Sequence, residues 1–233
     1  MIDTFLINLD NSRDRFARAS GALDAAGLRF TRFPAIDGRG TPPRAADGFA
    51  RLVSGAEAGC RASHDSVLRA FLDSTARLAL VFEDDVSAID GRTLGRLTKG
   101  LGETDGWGVA HLSQPVRGFR SPWSDADGMT LYRAHLFPMT TAGLLWSRDG
   151  AREFLAHAPP GWPMDHALRH WALRADKGVG LERALVETHP FASDMPDRDA
   201  LIDARYERHR ARLRRRQKAR AAWNRLRWRF TAR

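Results

Sequence analysis

Apolar and polar positions follow two periods along this chain, and the switches between them mark its elements. Residues 4–9 (TFLINL) are a short apolar run that stops at Asn8, Asp10 and Asn11. That is the profile of a strand ending in a polar turn. Ser12 then stands at a helix N-cap position. Phe16, Ala19, Leu23 and Ala26 follow at helical spacing, and Gly27 closes the run. Residues 29–34 predict a second strand, and IDGRGTPPRAADG is a loop by its Gly and Pro content. Between Ala58 and Thr75, His64, Val67, Leu68, Phe71 and Leu72 share one helical face, and residues 77–83 return to strand. Strand, helix, strand, loop, helix, strand is the order of an α/β sheet with parallel strands, whose ligands bind beyond the strands' carboxyl ends.

The later chain is less regular. Leu94, Leu97 and Leu101 predict a short helix. WGVAHL and MTLYRAHLF predict strands around QPVRGFRSPWSDADG, a loop too polar and too rich in Pro and Gly for a core. TTAGLLW predicts another strand and RDGAREFLAHA a helix. PPGWPMDHALRHWALRA is a Pro-rich lead-in, an acid and a helix. No internal repeat is present.

Candidate chemistry sits where the strand of residues 77–83 ends. ALVF runs straight into Glu83, Asp84 and Asp85. On an extended chain Glu83 and Asp85 point to one side and Asp84 to the other. Carboxylates this close repel one another, and a hard divalent cation among them lowers that cost. Oxygen ligands suit Mg²⁺ or Mn²⁺. The competing reading is a solvated acidic turn. Phosphoryl transfer and glycosyl transfer both stay open. The sequence contains no GxxxxGK[ST], which excludes a P-loop, and no GxGxxG or GxSxG.

Composition narrows the setting. The 233 residues suit one domain, or one domain with an appendage. A single cysteine, Cys60, excludes a disulfide framework and points to a reducing compartment. It reads as buried and inert. No apolar run approaches the ~20 residues that cross a bilayer. The opening MIDTFLINLD reads as a first strand and not as a signal peptide. The expected location is cytoplasmic, or peripheral on the cytoplasmic side of a membrane.

The net charge of +9 conceals a division. Ala204–Arg233 holds thirteen Lys or Arg and one acid, a charge of +12; the rest holds 24 basic and 27 acidic residues, a charge of −3. The chain therefore divides into a domain over 1–198 and a basic tail over 199–233. The tail lacks Gly and Pro, so its composition favours helix. Trp223, Leu226 and Phe230 share a face, with Arg220, Arg225, Arg227 and Arg229 around them. Residues 205–233 thus read as a basic amphipathic helix that lies on an anionic membrane surface. Nucleic-acid binding and a solubilising tail are the competing readings.

Six segments in register add a family. INLDNSRDR (7–15), PAIDG (34–38), GAEAGCRASH (55–64), ALVFEDDV (79–86), TTAGLLWSRDGAREFL (140–155) and PMDHAL (163–168) together resemble the family-25 glycosyltransferases, which include lipooligosaccharide galactosyltransferases. The resemblance implies a GT-A type fold, a Rossmann-like nucleotide-binding sheet with flanking helices, here followed by a basic C-terminal helix. It implies an inverting, metal-dependent transfer from a nucleotide sugar, most simply UDP-galactose, to a lipid-linked oligosaccharide of the lipopolysaccharide type. Glu83-Asp84-Asp85 then looks like the DxD element. Asp85 becomes the direct metal ligand for Mn²⁺ or Mg²⁺, with Asp84 beside it and His189 as a later ligand. Asn8, Arg15, Ser63, His64, Glu83 and Asp84 become donor-binding residues, and Asp165 the general base. Asp165 also fits a plain helix cap, His64 a structural hydrogen-bonder and Arg15 a surface arginine. The chain departs from the family at Gly143, where an aromatic is frequent, and at Asn11 and Phe16, which replace basic residues. Two alternatives use the same residues: a metal-dependent phosphotransferase or nucleotide hydrolase, and a degenerate GT-A domain acting as a membrane-bound assembly factor.

Overall fold

The computed structural model describes residues 1–126, 129–189, 201–202 and 204–231. The expected boundary at 198/199 lies outside the described residues. The first half runs β1 (Ile2–Asn8), α1 (Arg13–Ala25), β2 (Thr31–Pro34), α2 (Gly55–Asp73), β3 (Leu78–Glu83), β4 (Val86–Ile89) and α3 (Gly91–Gly102). Four strands follow without a helix between them: β5 (Val109–His111), β6 (Arg120–Ala126), β7 (Met129–Ala134) and β8 (Gly143–Ser147). The chain continues through α4 (Arg148–His157), α5 (Met164–Ala175), β9 (Gly178–Gly180), β10 (Val186–Thr188) and α6 (Ala204–Thr231).

Eight strands form one sheet in the order β2-β1-β3-β8-β5-β9-β7-β6, and β4 pairs with β10 apart from it. The α/β class expected from the pattern is present. The sheet is mixed and not wholly parallel. β2, β1 and β3 are mutually parallel, but β8 runs antiparallel between β3 and β5. Parallel addition needs a crossover, usually a helix, and the alternation of strand with helix stops after α3. The segment expected as the loop QPVRGFRSPWSDADG also contains β6. This strand lies at the sheet edge and shifts register between Pro122 and Ser124. An edge position tolerates the polar and Pro content that argued against a strand.

The sheet is buried on both faces, which explains its unbroken apolar strands. Along β3, Leu78, Leu80 and Phe82 pack with Leu23 of α1 and Leu94 of α3; Ala79 and Val81 pack with Phe71 of α2, Phe154 of α4 and Leu168 of α5. Local chemistry sets the helix ends. Ser54 and Glu57 form a capping box at the start of α2. Ser12 precedes α1 as expected but makes no side-chain cap bond. Gly27, at φ +70°, lets the Leu28 N–H reach back to the Leu23 carbonyl.

Glycines bring the loop after β2 onto α2. A Cβ on Gly59 would stand 2.4 Å from the Ile36 carbonyl oxygen and 2.7 Å from the Gly38 nitrogen. One on Gly55 would stand 2.1 Å from the Gly38 oxygen. Ser63 completes the seam: its hydroxyl accepts the Ile36 N–H at 2.8 Å and donates to the Gly59 carbonyl.

The basic tail is a helix, as its composition predicts, and it docks on the domain. Tyr206, Gln217, Ala221 and Asn224 are buried on one face of α6. The Asn224 amide donates to the Leu173 carbonyl of α5 at 2.9 Å. Trp228 covers His135, which bridges Ser121 and Asp176 through hydrogen bonds of 3.0 and 2.9 Å. That serine–histidine–aspartate chain is sealed, because His135 is fully buried. The docked face is not the apolar one marked by spacing: Trp223, Leu226 and Phe230 are 58%, 46% and 75% exposed.

Gly59→Ala tests the glycine seam. Helix propensity alone would stabilise the variant by about 1 kcal/mol. The close approach dominates, so denaturant unfolding should show a net loss of about 1–3 kcal/mol. A variant more stable than the wild type would contradict the seam.

Candidate active site

The acid run leaves the sheet beside β1, with Ile7 in register with Glu83. Strand alternation then assigns each acid a side. Glu83 follows Val81 toward α2, and Asp84 follows Phe82 toward α1.

Glu83 meets His64 of α2. The two are 2.9 Å apart, and the Thr141 hydroxyl donates to the same carboxylate oxygen. Burial pushes the Glu83 pKa up, but the His64 contact, Thr141 and the charge of Arg15 outweigh it and hold the pKa below its ordinary value. Asp84 meets α1 and the end of β1. The Asn8 amide donates to its Oδ2 at 2.7 Å, and Arg15 Nε donates to its Oδ1 at 2.8 Å. Burial still leaves Asp84 raised against the pull of Asn8 and Arg15. Asn8 also donates to the Ser12 carbonyl and accepts from Arg32, so it ties the end of β1 to the start of α1 and to β2.

Asp85 has no such partner. Its Oδ1 is buried without a hydrogen bond. Burial, then the charge of Glu83, raises its pKa to about 7 despite Arg15. Three adjacent acids therefore have unequal fates. Both Asp84 oxygens are engaged by the protein, which places Asp84 in a clamp with Asn8 and Arg15. Asp85 keeps a donor oxygen for a cation.

His189 arrives beside Asp85 through the pairing of β10 with β4. Its backbone N–H donates to the Asp85 carbonyl at 2.7 Å, and its side chain is exposed. Gly143 permits this approach. A Cβ there would stand 3.2 Å from Val186 Cγ2, so the aromatic common in the family has no room unless β10 shifts. A divalent ion of the Mg²⁺ or Mn²⁺ kind fits such a site. These ions take one or two protein ligands and fill the rest of the shell with water and phosphate oxygens. Cys60, His64 and Glu83 also lie close, with their ligand atoms within 4.8 Å of one another. That group is a poorer metal site. Burial, then the nearby charges of Glu83 and Asp165, hold the Cys60 thiol protonated, and metals bind the thiolate.

Two cavities meet at this point. The smaller, 120 Å³, lies between β1 and α2 and is lined by Asn8, Arg15, Asp37, Ser63, His64 and Asp84 among others. The larger, 710 Å³, is lined by Asp85, Thr141, Asp165 and Arg169, and by Tyr206 and Arg214 of α6. Cys60 and Glu83 border both. All the expected site residues except His189 thus line one or the other.

Asp165 stands in the first turn of α5, facing the large cavity. Its Oδ1 accepts the His166 N–H at 2.7 Å, while Pro163 holds the N-cap position. Burial raises its pKa to about 6; the Glu57 and Glu83 charges add to this, and His166 and Arg169 oppose it. Arg51, Arg169 and α6 were missed by motif reading. They carry no spacing signal and meet the cavity only through tertiary packing.

The sequence comparison points to the glycosyltransferase class. Within that class, residues 1–92 match the model of glycosyltransferase family 25 (LPS biosynthesis protein). The matched segment contains every expected donor-side residue and Asp85, and it ends before Asp165 and His189. No curated protein matches the chain. Among solved structures, the chain is similar to a glycosyltransferase involved in the glycosylation of the major capsid of PBCV-1. The identity is 9%, over 82% of this chain and 94% of that one, with a TM-score of 0.43. It is also similar to glucosyl-3-phosphoglycerate synthase from Mycobacterium tuberculosis, solved with Mn²⁺, UDP and glucosyl-3-phosphoglycerate. There the identity is 12%, over 82% and 73% of the two chains, with a TM-score of 0.41. Both likenesses are too distant to carry an argument about activity.

The Asp85 carboxyl gives a pH test of the site. Its pKa is higher folded than unfolded, so the folded chain binds this proton more tightly. Its ionisation lowers stability as pH rises from about 4 to about 7, and the full cost stands above 7. Metal-free Asp85→Asn should therefore melt higher than wild type at pH 8, with a smaller gain at pH 5. A lower melting temperature at pH 8 would sink this account of Asp85.

Proposed function

We propose that the chain transfers a hexose, galactose being the simplest candidate, from a UDP-sugar to a hydroxyl of a lipid-linked surface glycan of the lipopolysaccharide type, with inversion. The observation that carries this reading is the unpartnered oxygen of Asp85, a residue that lines the large cavity beside Glu83, which borders both cavities, within the family-matched segment.

In this reading the nucleotide occupies the small cavity, where Asn8, Arg15, Ser63 and His64 form the walls. Arg15 and Asn8 act mainly by fixing Asp84, which holds the turn that presents Asp85. Asp85, with His189 beside it, would hold Mn²⁺ or Mg²⁺. When bound, the ion offsets the negative charge that gathers on the diphosphate leaving group. The sugar and the acceptor hydroxyl meet in the large cavity. The hydroxyl oxygen attacks the anomeric carbon from the face opposite the diphosphate, and the carbon–oxygen bond to UDP breaks with its electron pair leaving on UDP. Asp165 accepts the hydroxyl proton during attack. A pKa near 6 suits this role, since the carboxylate is ionised at neutral pH yet more basic than a solvated one.

The outer face of α6 supports a location on the cytoplasmic membrane surface. Trp223, Leu226 and Phe230 are exposed together on a strongly basic helix. No described helix is long and apolar enough to cross a membrane.

Turnover of UDP-hexoses with Mn²⁺ tests the transfer. Asp165→Asn should lower kcat by about 10²–10⁴-fold while UDP affinity persists. The wild-type rate should rise with pH through about 6, as Asp165 loses its proton. Full activity in Asp165→Asn would remove it as the base. Changing Trp223, Leu226 and Phe230 together to Ser should abolish sedimentation with anionic vesicles without shifting the melting temperature. Undiminished sedimentation would refute the membrane contact.

A further inference from the structure

The large cavity is lined by acids and by a cluster of arginines. Asp85 follows β3, and Asp165 stands at the start of α5. Arg169 lies one turn beyond Asp165 on α5, and Arg210 and Arg214 lie one turn apart on α6. We infer that the α5–α6 side of this cavity is the acceptor subsite, and that Arg169, Arg210 and Arg214 there bind an anionic group, a phosphoryl or carboxylate, carried by the acceptor. This rests on the transfer reading above for the word acceptor, but not for the anion site itself.

Three clustered cations repel one another. Burial presses the Arg169 pKa down to about 10; Asp165 partly restores it, and the charge of Arg214 adds a smaller push downward. Arg169 therefore stays protonated at neutral pH. Its Nε donates to the Phe137 carbonyl at 2.6 Å, which fixes the plane of the guanidinium. Arg210 pairs with Glu207 at 2.8 Å, but that pair is solvent-exposed and weak. Arg51, in the same cavity, shows what an acid-paired cation looks like here: it forms a buried two-point pair with Glu57. The α5–α6 arginines have no comparable buried acid among the described residues. A planar guanidinium suits phosphoryl and carboxylate oxygens alike. The position favours the acceptor over the donor diphosphate. These residues stand on the Asp165 side, away from the small cavity between β1 and α2, and α6 contributes nothing to that smaller space.

The test is a ligand-observed NMR titration of galactose, galactose 6-phosphate and galacturonate, with the protein first saturated with UDP and Mn²⁺. The charged sugars should bind and galactose should not, the two charged probes separating a phosphoryl from a carboxylate preference. Arg210→Gln with Arg214→Gln should weaken the charged sugar by at least about tenfold and leave UDP affinity within about twofold. Arg210 is half-buried and Arg214 exposed, so folding should persist. Equal binding of galactose and the charged sugars, or unchanged binding in the double variant, would overturn the inference. A repeat without UDP or metal separates the two readings. If UDP never binds but arginine-dependent anion binding persists, the donor reading fails and the anion site stands.

Discussion

One buried carboxylate oxygen without a partner organises this molecule. Glu83, Asp84 and Asp85 are adjacent, and the fold compensates the first two. Glu83 has His64 and Thr141, and Asp84 has Asn8 and Arg15. Asp85 Oδ1 is left buried and unbonded. Such a group costs free energy while the chain is alone, and it persists most readily where a ligand relieves it. The compensation of its neighbours matters equally. It pins the turn after β3, so the uncompensated acid is held in place at the large cavity.

The rest of the architecture serves that position. Packing on both faces of β3 sends Glu83 toward α2 and Asp84 toward α1, so each finds a partner from a different layer. The Gly38, Gly55 and Gly59 contacts press the loop after β2 against α2 and close the small cavity. Gly143 lets β10 pass close to β8 and brings His189 to the Asp85 backbone. α6 forms a wall of the larger cavity with one face and exposes an aromatic, basic face on the other. A helix in both places would couple the acceptor side of the site to a membrane surface.

Much of this was legible in the residues. Apolar runs and helical spacing located β1, α1, α2, β3, α4 and α5, because each buries a full stripe or face. The acid run at the end of β3 marked the site. Sequence alone could not rank the three acids, since that ranking depends on α1 and α2, which supply Arg15 and His64 from 69 and 19 residues away. The antiparallel β8 was also hidden, because an apolar strand buried on both faces reads the same in either direction. The docking of α6 was missed for a different reason. Its contact face is built from Tyr206, Gln217, Ala221, Asn224 and Trp228, which do not form an apolar stripe, whereas Trp223, Leu226 and Phe230 do.

The central claim is that Asp85 is a carboxylate kept for a cation and a nucleotide diphosphate. Calorimetric titration of UDP into the full chain, with and without Mn²⁺, for wild type and Asp85→Ala, tests it directly. The account requires metal-dependent binding in the wild type that disappears in Asp85→Ala. Equal UDP affinity in the two proteins, or binding indifferent to Mn²⁺, would contradict it.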